Sequence, residues 1–298
     1  MVWFIIALVG AVFTSLTTIL AKIGIKDVNS NFATAYRTFI VIICALIMCL
    51  ITGSIKTFEI LTWKNYLFLI LSGLATGLSW LCYYKALKLG DVNKVAPIDK
   101  SSFVLTSILF LIFFFNDTTS NGNPLIIVML FVSMVLMCSG TILMIIPKDK
   151  EETKSKLWLL YALLSAVFAS LVSLFVKIGL KGIKSDLGTL IRTIIVFLFA
   201  TMIVIFRKDY KGASKITKKS WLFLTLSGIA TGGAWLCEYA SLNLDGVNPV
   251  AVNSVSKLAI LITMTFSFLI LKEKFSKKSL IGLFLLTLGI IVIIVFSL

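Results

Sequence analysis

The sequence contains no histidine, and it holds only three arginines and four prolines among its 298 residues. Without histidine, the chain lacks the commonest general acid–base group and the commonest metal ligand of proteins. It also lacks a Walker loop, an HExxH motif and a Ser-His-Asp set, so we predict that it is not an enzyme and needs no cofactor or metal. The five cysteines lie in apolar runs and form no CxxC pair, which predicts neither a disulfide framework nor a zinc site. They are Cys44, Cys49, Cys82, Cys138 and Cys237.

Long polar stretches are scarce too, and apolar residues dominate instead. They make up 59% of the sequence, and the mean hydropathy is +1.06, whereas soluble domains hold roughly 45–50% apolar residues. We therefore predict an integral membrane protein that has the lipid bilayer as its partner, and the net charge of +15 does not indicate nucleic-acid binding. An apolar run starts at Val2 without the charged flank and cleavage site of a signal peptide, so we expect the first span to be retained. The abundance of Lys, Ile and Asn suggests a bacterial source with an AT-rich genome.

Ten apolar runs are long enough to cross the ~30 Å hydrocarbon core of a bilayer, which takes about 20 helical residues. The connections between these runs are short and polar, so we predict an all-α protein with ten transmembrane helices. Spans 1 to 10 cover approximately residues 3–21, 32–52, 66–84, 96–115, 124–146, 157–176, 187–206, 221–242, 250–271 and 279–297.

The second half of the sequence repeats the first with a spacing of 155 residues. Residues 71–84 read LSGLATGLSWLCYY and residues 226–239 read LSGIATGGAWLCEY, with ten of fourteen positions identical. Each repeat contains five spans, and because five is odd the second repeat must enter the membrane from the opposite side. We therefore predict a 5+5 inverted repeat around a central cavity. The repeats are residues 1–147 and 157–298, and the charged segment 148–156 is interpreted as a solvated linker.

Basic residues are unevenly distributed over the two sides of this arrangement. The loops after spans 1, 3, 5, 7 and 9 carry 19 Lys and Arg, whereas the other loops carry 5. The positive-inside rule places the richer side in the cytoplasm. We therefore predict a multi-pass protein of the cell membrane with both termini outside.

Several motifs resemble those of the EamA-type branch of the drug/metabolite transporter superfamily. They are SGxATGxxWLCxY in spans 3 and 8 and LKEKFSKKSLIGLFLLTLGIIVI at 271–293, within ten spans of the expected layout. The resemblance covers the whole chain and implies a transporter. The first repeat departs from the pattern because residues 115–118 read FNDT where Lys272-Glu273-Lys274 stand in the second. Span 1 also lacks the membrane glutamate of small multidrug relatives. The resemblance implies cytoplasmic termini, against the charge count, which we follow.

Six ionisable residues remain within the predicted spans, where a charge costs a few kcal/mol or more unless it faces protein or water. We therefore take all six as candidates for substrate binding or gating. Depths calculated from the ~1.5 Å rise per helical residue predict two clusters on either side of the midplane, as two gates would require. These are Arg37, Asp99 and Lys100 near the cytoplasmic face, and Arg192, Glu238 and Lys257 near the outer face.

Some of these residues also have a purely structural interpretation. Asp99 falls in the predicted first turn of span 4, where the helix dipole favours an acid, and Lys100 could extend towards the interface. Arg37 and Arg192 lie near predicted helix starts and could reach lipid headgroups. Glu238 and Lys257 are expected to lie deeper, which favours a functional role.

Aromatic and small residues complete the candidate site. Glu238 replaces Tyr83 of the first repeat, so we expect an asymmetric cavity, with Trp80, Tyr83 and Trp235 as candidate residues for substrate binding or gating. Small residues four positions apart predict close helix packing. They are Gly73 and Gly77 in span 3, and Gly228 and Gly232 in span 8. Gly282 and Gly289 in span 10 fit either internal packing or a homodimer.

The leading hypothesis is a secondary transporter that works by alternating access. A net positive cavity with aromatic walls suits a small anionic or zwitterionic, amino-acid-like metabolite, with export as the preferred direction and Glu238 as the candidate group for proton coupling. The alternatives are a proton-coupled exporter of cationic drugs or metabolites that uses Glu238, a flippase for a lipid-linked intermediate, and a membrane partner that transports nothing.

Overall fold

The structure is a computed structural model, and it describes residues 2–26, 28–119, 122–145, 157–211, 216–244, 247–270, 272 and 275–297. Within these ranges, ten helical segments are long and apolar enough to cross a membrane. This confirms the prediction of an all-α membrane protein with ten spans. The predicted linker 148–156, together with Glu273 and Lys274, lies outside the described residues.

The described part contains thirteen α-helices and, at Ser54–Ile60, a short 3-10 helix. The α-helices are α1 (Val2–Gly24), α2 (Ser30–Thr52), α3 (Trp63–Leu89), α4 (Val92–Lys100), α5 (Ser102–Phe113), α6 (Phe115–Thr119), α7 (Pro124–Ile145), α8 (Leu157–Gly179), α9 (Ser185–Arg207), α10 (Lys218–Leu242), α11 (Pro249–Lys257), α12 (Ala259–Ile270) and α13 (Lys277–Ser297). Counting one crossing per span defines two sides. The N-face is where α1 begins and α8 and α10 end, and the K-face is where α1 and α3 end.

Local sequence explains several helix ends. Thr62 and Asn65 form a capping box at the start of α3, which satisfies backbone N–H groups that have no partner within the helix. Gly53 ends α2 with a φ of 65°, a left-handed conformation that glycine adopts without steric cost. Asn248 caps α11, and Pro249 occupies its first turn, where no N–H is needed.

Predicted spans 4 and 9 are each interrupted after nine helical residues. The first part ends at Lys100 in α4 and at Lys257 in α11, and a single residue separates it from α5 or α12. Pro97 weakens α4 because it has no N–H to donate. In α11, the hydroxyls of Ser254 and Ser256 donate to carbonyls of their own helix, a contact that tends to bend helices.

The interruption corrects the expected position of Asp99 and Lys100. Because α4 begins at Val92, both residues lie in its last turn and not in a first turn. The helix dipole favours a cation there and disfavours an acid, so N-terminal capping does not explain Asp99. The predicted position of Asp99 and Lys100 was wrong because span 4 was delimited by hydropathy alone, which left out the polar first turn of α4.

Each major helix pair joins a helix of one repeat to a helix of the other. α1 packs against α10 as α3 packs against α8, and α2 contacts α10 as α3 contacts α9. The remaining major pairs, α2 with α9 and α7 with α13, join equivalent helices of the two repeats. This is the pattern that a pseudo-two-fold axis between the halves would produce. The opposite orientation of the halves in the membrane stays a prediction.

Polar contacts join α2 to α9 at both faces. At the N-face, the carboxylate of Asp186 accepts a hydrogen bond from Ser54 Oγ at 2.6 Å. At the K-face, the carboxylate of Asp209 accepts hydrogen bonds from the amides of Asn29 and Asn31, both at 2.7 Å. Asp186 lies 155 positions after Asn31, and Asp209 lies 155 after Ser54. The same pair of positions therefore joins the helices on both sides, with the acid and its neutral partner exchanged.

The predicted packing glycines lie where α3 meets α9 and α10 meets α2. A Cβ atom at Gly73 would lie 2.8 Å from the Cβ of Ile195, and one at Gly228 would lie 2.7 Å from the Cβ of Ile40. One turn further along, Gly77 faces Phe199 and Gly232 faces Cys44. A larger side chain would therefore push apart helices of opposite repeats.

Substituting Gly228→Val should lower the thermal stability of the purified protein, because overpacking a close contact costs about 1–3 kcal/mol. The matched control is Ile229→Val, which changes the next residue on α10, a side chain that is 48% exposed. Melting temperatures in the same detergent would measure the difference. Equal melting temperatures for both variants would contradict the proposed role of Gly228.

Candidate functional site

A cavity of about 170 Å³ lies between the two repeats, with space for on the order of ten water molecules at ~10–15 Å³ each. The first repeat contributes α1, α3, α4 and α5 to its walls, and the second repeat contributes α8, α9, α10 and α11. Trp80, Tyr83 and Trp235 line it. So do five of the six ionisable candidates, which are Asp99, Lys100, Arg192, Glu238 and Lys257.

Arg192 is held by an aromatic cluster at the cavity wall. Its guanidinium carbon lies 4.4 Å from the ring centroid of Trp235 and 4.9 Å from that of Tyr239. The guanidinium donates hydrogen bonds to the hydroxyls of Tyr239 and Thr76. Arg192 and both aromatic residues belong to the second repeat, whereas Thr76 belongs to the first.

Arg37 is held in the same way by the equivalent residues. Its guanidinium carbon lies 5.1 Å from the ring centroid of Trp80 and 4.6 Å from that of Tyr84. Nη2 donates to the hydroxyl of Thr231 at 2.7 Å. Each residue here is 155 positions from its counterpart in the Arg192 cluster, so each cluster bonds across the boundary between the repeats.

The two clusters meet at the centre of the molecule. The rings of Trp80 and Trp235 have centroids 5.0 Å apart and planes inclined at 38°. Tyr84 packs against Trp80, and Tyr239 packs against Trp235. Tyr84 and Tyr239 are 2% and 5% exposed, so both are packing residues and not part of an interfacial belt.

Both guanidinium groups are buried without a counter-ion. Arg37 and Arg192 are 0% exposed, and across the described ranges no carboxylate lies within 4.0 Å of either one. Nε of both residues and Nη1 of Arg37 also have no hydrogen-bond partner there. Arginine keeps its charge in proteins, so the aromatic faces must supply much of the stabilisation, about 2 kcal/mol for a desolvated cation–π contact.

Lys100 and Lys257 are structural equivalents, because each ends an interrupted helix at the cavity. Lys100 Nζ lies 3.4 Å from a carboxylate oxygen of Asp99. Lys257 Nζ donates to Ser102 Oγ at 3.4 Å, and no carboxylate of the described chain lies within 4.0 Å of it. Sequence analysis missed this equivalence because a longer connection before α11 shifts the spacing to 157 residues, whereas a spacing of 155 pairs Lys100 with Val255.

Glu238 makes the cavity asymmetric. At the equivalent position, the Tyr83 hydroxyl donates to Thr18 Oγ1 at 3.4 Å. The Glu238 carboxylate has neither a hydrogen bond nor an ion pair with any described residue. Glu238 and Lys257 therefore both line the cavity, and neither has an oppositely charged partner within ion-pair distance.

The expectation of two separate charge clusters is wrong. Asp99 and Lys100 meet Glu238 and Lys257 around one cavity, because the interrupted helices carry the first two residues deep into the protein. Arg37 does not line this cavity and lies behind the aromatic rings on which it stacks. Its complete burial, like that of Arg192, also rules out an interaction with lipid headgroups.

Sequence analysis also missed Asn253. This residue lines the cavity, is 4% exposed and lies four positions before Lys257 on α11. A spacing of four places both side chains on the same helix face. An amide within an apolar span was the available signal, because polar groups in spans are costly and tend to face the protein interior.

Comparisons with known proteins agree with a membrane transporter of this architecture. Residues 1–139 and 156–295 match the EamA-like transporter family, and the chain belongs to this family. A curated relative from Sinorhizobium sp., described as an uncharacterized transporter in the cobO 3' region, is 43% identical over 111 residues, which cover 37% of this chain and 79% of that protein. A crystal structure described only as that of a protein has the same fold, with a TM-score of 0.71 and 15% identity over 98% of both chains. These matches confirm the predicted family and the prediction of a non-enzymatic transporter.

Arg37→Met should leave thermal stability equal to or above that of the unchanged protein, because replacing an uncompensated buried charge by an apolar group of similar volume removes its desolvation cost. Transport should nevertheless fall at least about tenfold if the charge is retained for function, a loss equivalent to about 1.4 kcal/mol. Arg207→Met, which removes an exposed charge, is the control. A destabilised Arg37→Met protein with normal transport would show that Arg37 serves stability alone.

Proposed function

We propose that this protein is a secondary active transporter that moves a small anionic or zwitterionic, amino-acid-like metabolite by alternating access, in the direction of export. The observation that carries the proposal is the cavity lined by Lys257 and Glu238, neither of which has an oppositely charged group within 4.0 Å among the described residues. Charges of both signs at the wall of one cavity are complementary to a ligand that also carries both signs.

The charge balance favours this class of solute over a cationic drug. Lys100 and Asp99 largely neutralise each other at 3.4 Å. Arg192 and Lys257 then face Glu238 across the same cavity, which leaves an excess of positive charge. A carboxylate on the solute would restore the balance, whereas an added cation would worsen it.

The interrupted helices support a transport mechanism. Secondary transporters commonly build their sites from discontinuous helices, whose ends lie near the bilayer midplane. Here α4 and α11 both end beside the cavity, at Lys100 and Lys257. The lysines offset the partial negative charge of these helix C-termini and can also bind an anionic group.

The cavity extends towards the N-face. Val176, three residues before the end of α8, and Leu242, the last residue of α10, both line it. Their equivalents at the K-face, Ala21 and Leu87, do not line it. From a cavity that reaches further towards one face than towards the other we infer one of the two states that alternating access requires, with the K-face closed.

Two equivalent lysines provide the proposed closing contacts. At the K-face, Lys22 Nζ donates to the carbonyls of Leu87 at 2.6 Å and Gly90 at 3.0 Å, which joins the ends of α1 and α3. At the N-face, Lys177 Nζ lies 3.5 Å from the carbonyl of Leu242. Lys177 and Leu242 are 155 positions after Lys22 and Leu87. We propose that these contacts tighten in turn as the two faces close.

Cysteine labelling tests the two faces. In a protein whose native cysteines are replaced, Leu242→Cys should react with a membrane-impermeant thiol reagent from one side, because Leu242 lines the cavity and is 7% exposed, whereas Leu87→Cys, at a position that is 0% exposed, should be protected. Adding Lys22→Met should make Leu87→Cys reactive from the opposite side, because the K-face loses its closing contact. Leu87→Cys that reacts as fast as Leu242→Cys without Lys22→Met would contradict a closed K-face. Labelling intact cells against inverted vesicles also tests the predicted orientation.

Transport in proteoliposomes tests the proposed function directly. Lys257→Met and Glu238→Gln should each reduce uptake of the solute at least about tenfold, because each leaves a ligand charge without its partner in a buried site. Lys26→Met removes an exposed lysine and is the control. An imposed pH gradient should drive uptake by the unchanged protein only. Uptake insensitive to the gradient would contradict proton coupling, and full activity of both cavity variants would contradict the site.

A further inference from the structure

The side-chain amide oxygen of Asn253 is an unpaired acceptor at the cavity. Asn253 lines the cavity and is 4% exposed, and Oδ1 has no hydrogen-bond partner in the described part of the chain. Most buried polar atoms of proteins have such a partner, because an unpaired acceptor costs free energy. An atom from the transported molecule would satisfy this oxygen.

The serine and threonine hydroxyl groups around the cavity do not share this property, since each of them has a hydrogen-bond partner among the described residues. Thr76, Thr231 and Ser256, for example, all donate to carbonyls of their own helices. Asn253 therefore differs from the neighbouring serine and threonine hydroxyls, and it shares with Glu238 an oxygen that has no hydrogen-bond partner among the described residues.

The neighbouring helix α8 fixes the orientation of the amide. Nδ2 of Asn253 donates to Ser173 Oγ at 3.0 Å, and the Ser173 hydroxyl donates to the carbonyl of Ala169 at 3.4 Å. Because its proton is directed to Ala169, Ser173 accepts from Asn253 and does not donate to it. Ser173 is thus a positioning residue that keeps the amide nitrogen on its own side and leaves Oδ1 for another donor.

Lys257 lies four residues after Asn253 on the same helix, and such pairs have Cβ atoms about 5–6 Å apart. A solute whose negative group binds Lys257 would therefore place its adjacent substituent near Asn253. The first repeat offers no such acceptor, because Ala96 occupies the equivalent position of α4, 157 residues earlier.

From these contacts we infer that Asn253 is a specificity-determining residue, which requires a hydrogen-bond donor next to the anionic group that Lys257 binds. The inference rests on the proposed function and narrows its substrate class. Carboxylic acids with an amino or hydroxyl group beside the carboxylate meet the requirement. Acids with a carbonyl oxygen or only hydrogen at that carbon do not, since they would leave Oδ1 unpaired.

Ligand binding to the purified full-length protein tests this inference. The probes are alanine, leucine and phenylalanine, the 2-hydroxy and 2-oxo acids with the same carbon skeletons, and the corresponding unsubstituted carboxylic acids. Dissociation constants would be measured for the unchanged protein, Asn253→Leu and Ser173→Ala. Ser254→Ala is the matched control, because Ser254 is on the same helix and donates to its own backbone at Val250.

In the unchanged protein and the Ser254→Ala control, a donor-bearing acid should bind about tenfold or more tightly than its 2-oxo counterpart. Asn253→Leu should bring this ratio close to one, mainly by weakening the donor-bearing acid. Ser173→Ala should also reduce the ratio, because the amide is then free to turn. If Asn253→Leu does not fold, the ratio measured for Ser173→Ala decides the test.

Two results would overturn the inference. Carboxylates that bind the unchanged protein without this preference, or an unchanged preference in the folded Asn253 and Ser173 variants, would refute the role of Asn253 and leave the proposed function standing. Failure of every probe to bind the unchanged protein would instead refute the proposed amino-acid-like substrate class, and the inference with it.

Discussion

Two permanently charged guanidinium groups, buried without a counter-ion in the part of the chain that the structure describes, impose the central constraint on this fold. Arg37 and Arg192 cannot face lipid, where a charge is costly, so the helices must enclose them in aromatic faces and hydroxyl groups. Each cluster takes its arginine and aromatic rings from one repeat and its threonine from the other. Satisfying the two charges therefore requires residues of both repeats at the centre, where Trp80 and Trp235 meet.

The symmetric packing of the two repeats surrounds an asymmetric cavity. The arginine clusters and the ends of α2 and α9 use equivalent positions of both repeats. The cavity does not use equivalent residues, because Glu238 occupies the position that is Tyr83 in the first repeat, and Asn253 occupies the position that is Ala96 there. A solute bound between identical walls would have two equivalent orientations, whereas these differences select one. Under the proposed function, divergence of a few cavity residues would supply selectivity while the packing of the two repeats is retained.

Features that depend on one helix at a time were predictable from the sequence. The ten spans follow from hydropathy, and the equivalence of Arg37 with Arg192 follows from the constant spacing of 155 residues. The geometry of the cavity was not predictable in this way. Hydropathy did not detect the polar first turn of α4, so the depth of Asp99 was not predicted. Two extra residues before α11 change the spacing from 155 to 157, so the equivalence of Lys100 and Lys257 was not predicted either. Both depend on how the repeats meet, which neither hydropathy nor a fixed spacing describes.

The same duplication explains how the proposed transport cycle can be nearly balanced in free energy. The contact proposed to close the K-face uses Lys22 and the carbonyl of Leu87, and its counterpart at the N-face uses Lys177 and the carbonyl of Leu242. Because both closed states form a lysine–carbonyl hydrogen bond at equivalent positions, we expect the two states to be similar in free energy in the absence of a ligand. A ligand shifts an equilibrium only by its difference in affinity for the two states. A nearly balanced pair of states can therefore be driven by the modest binding energy of a small solute held between Lys257 and Glu238.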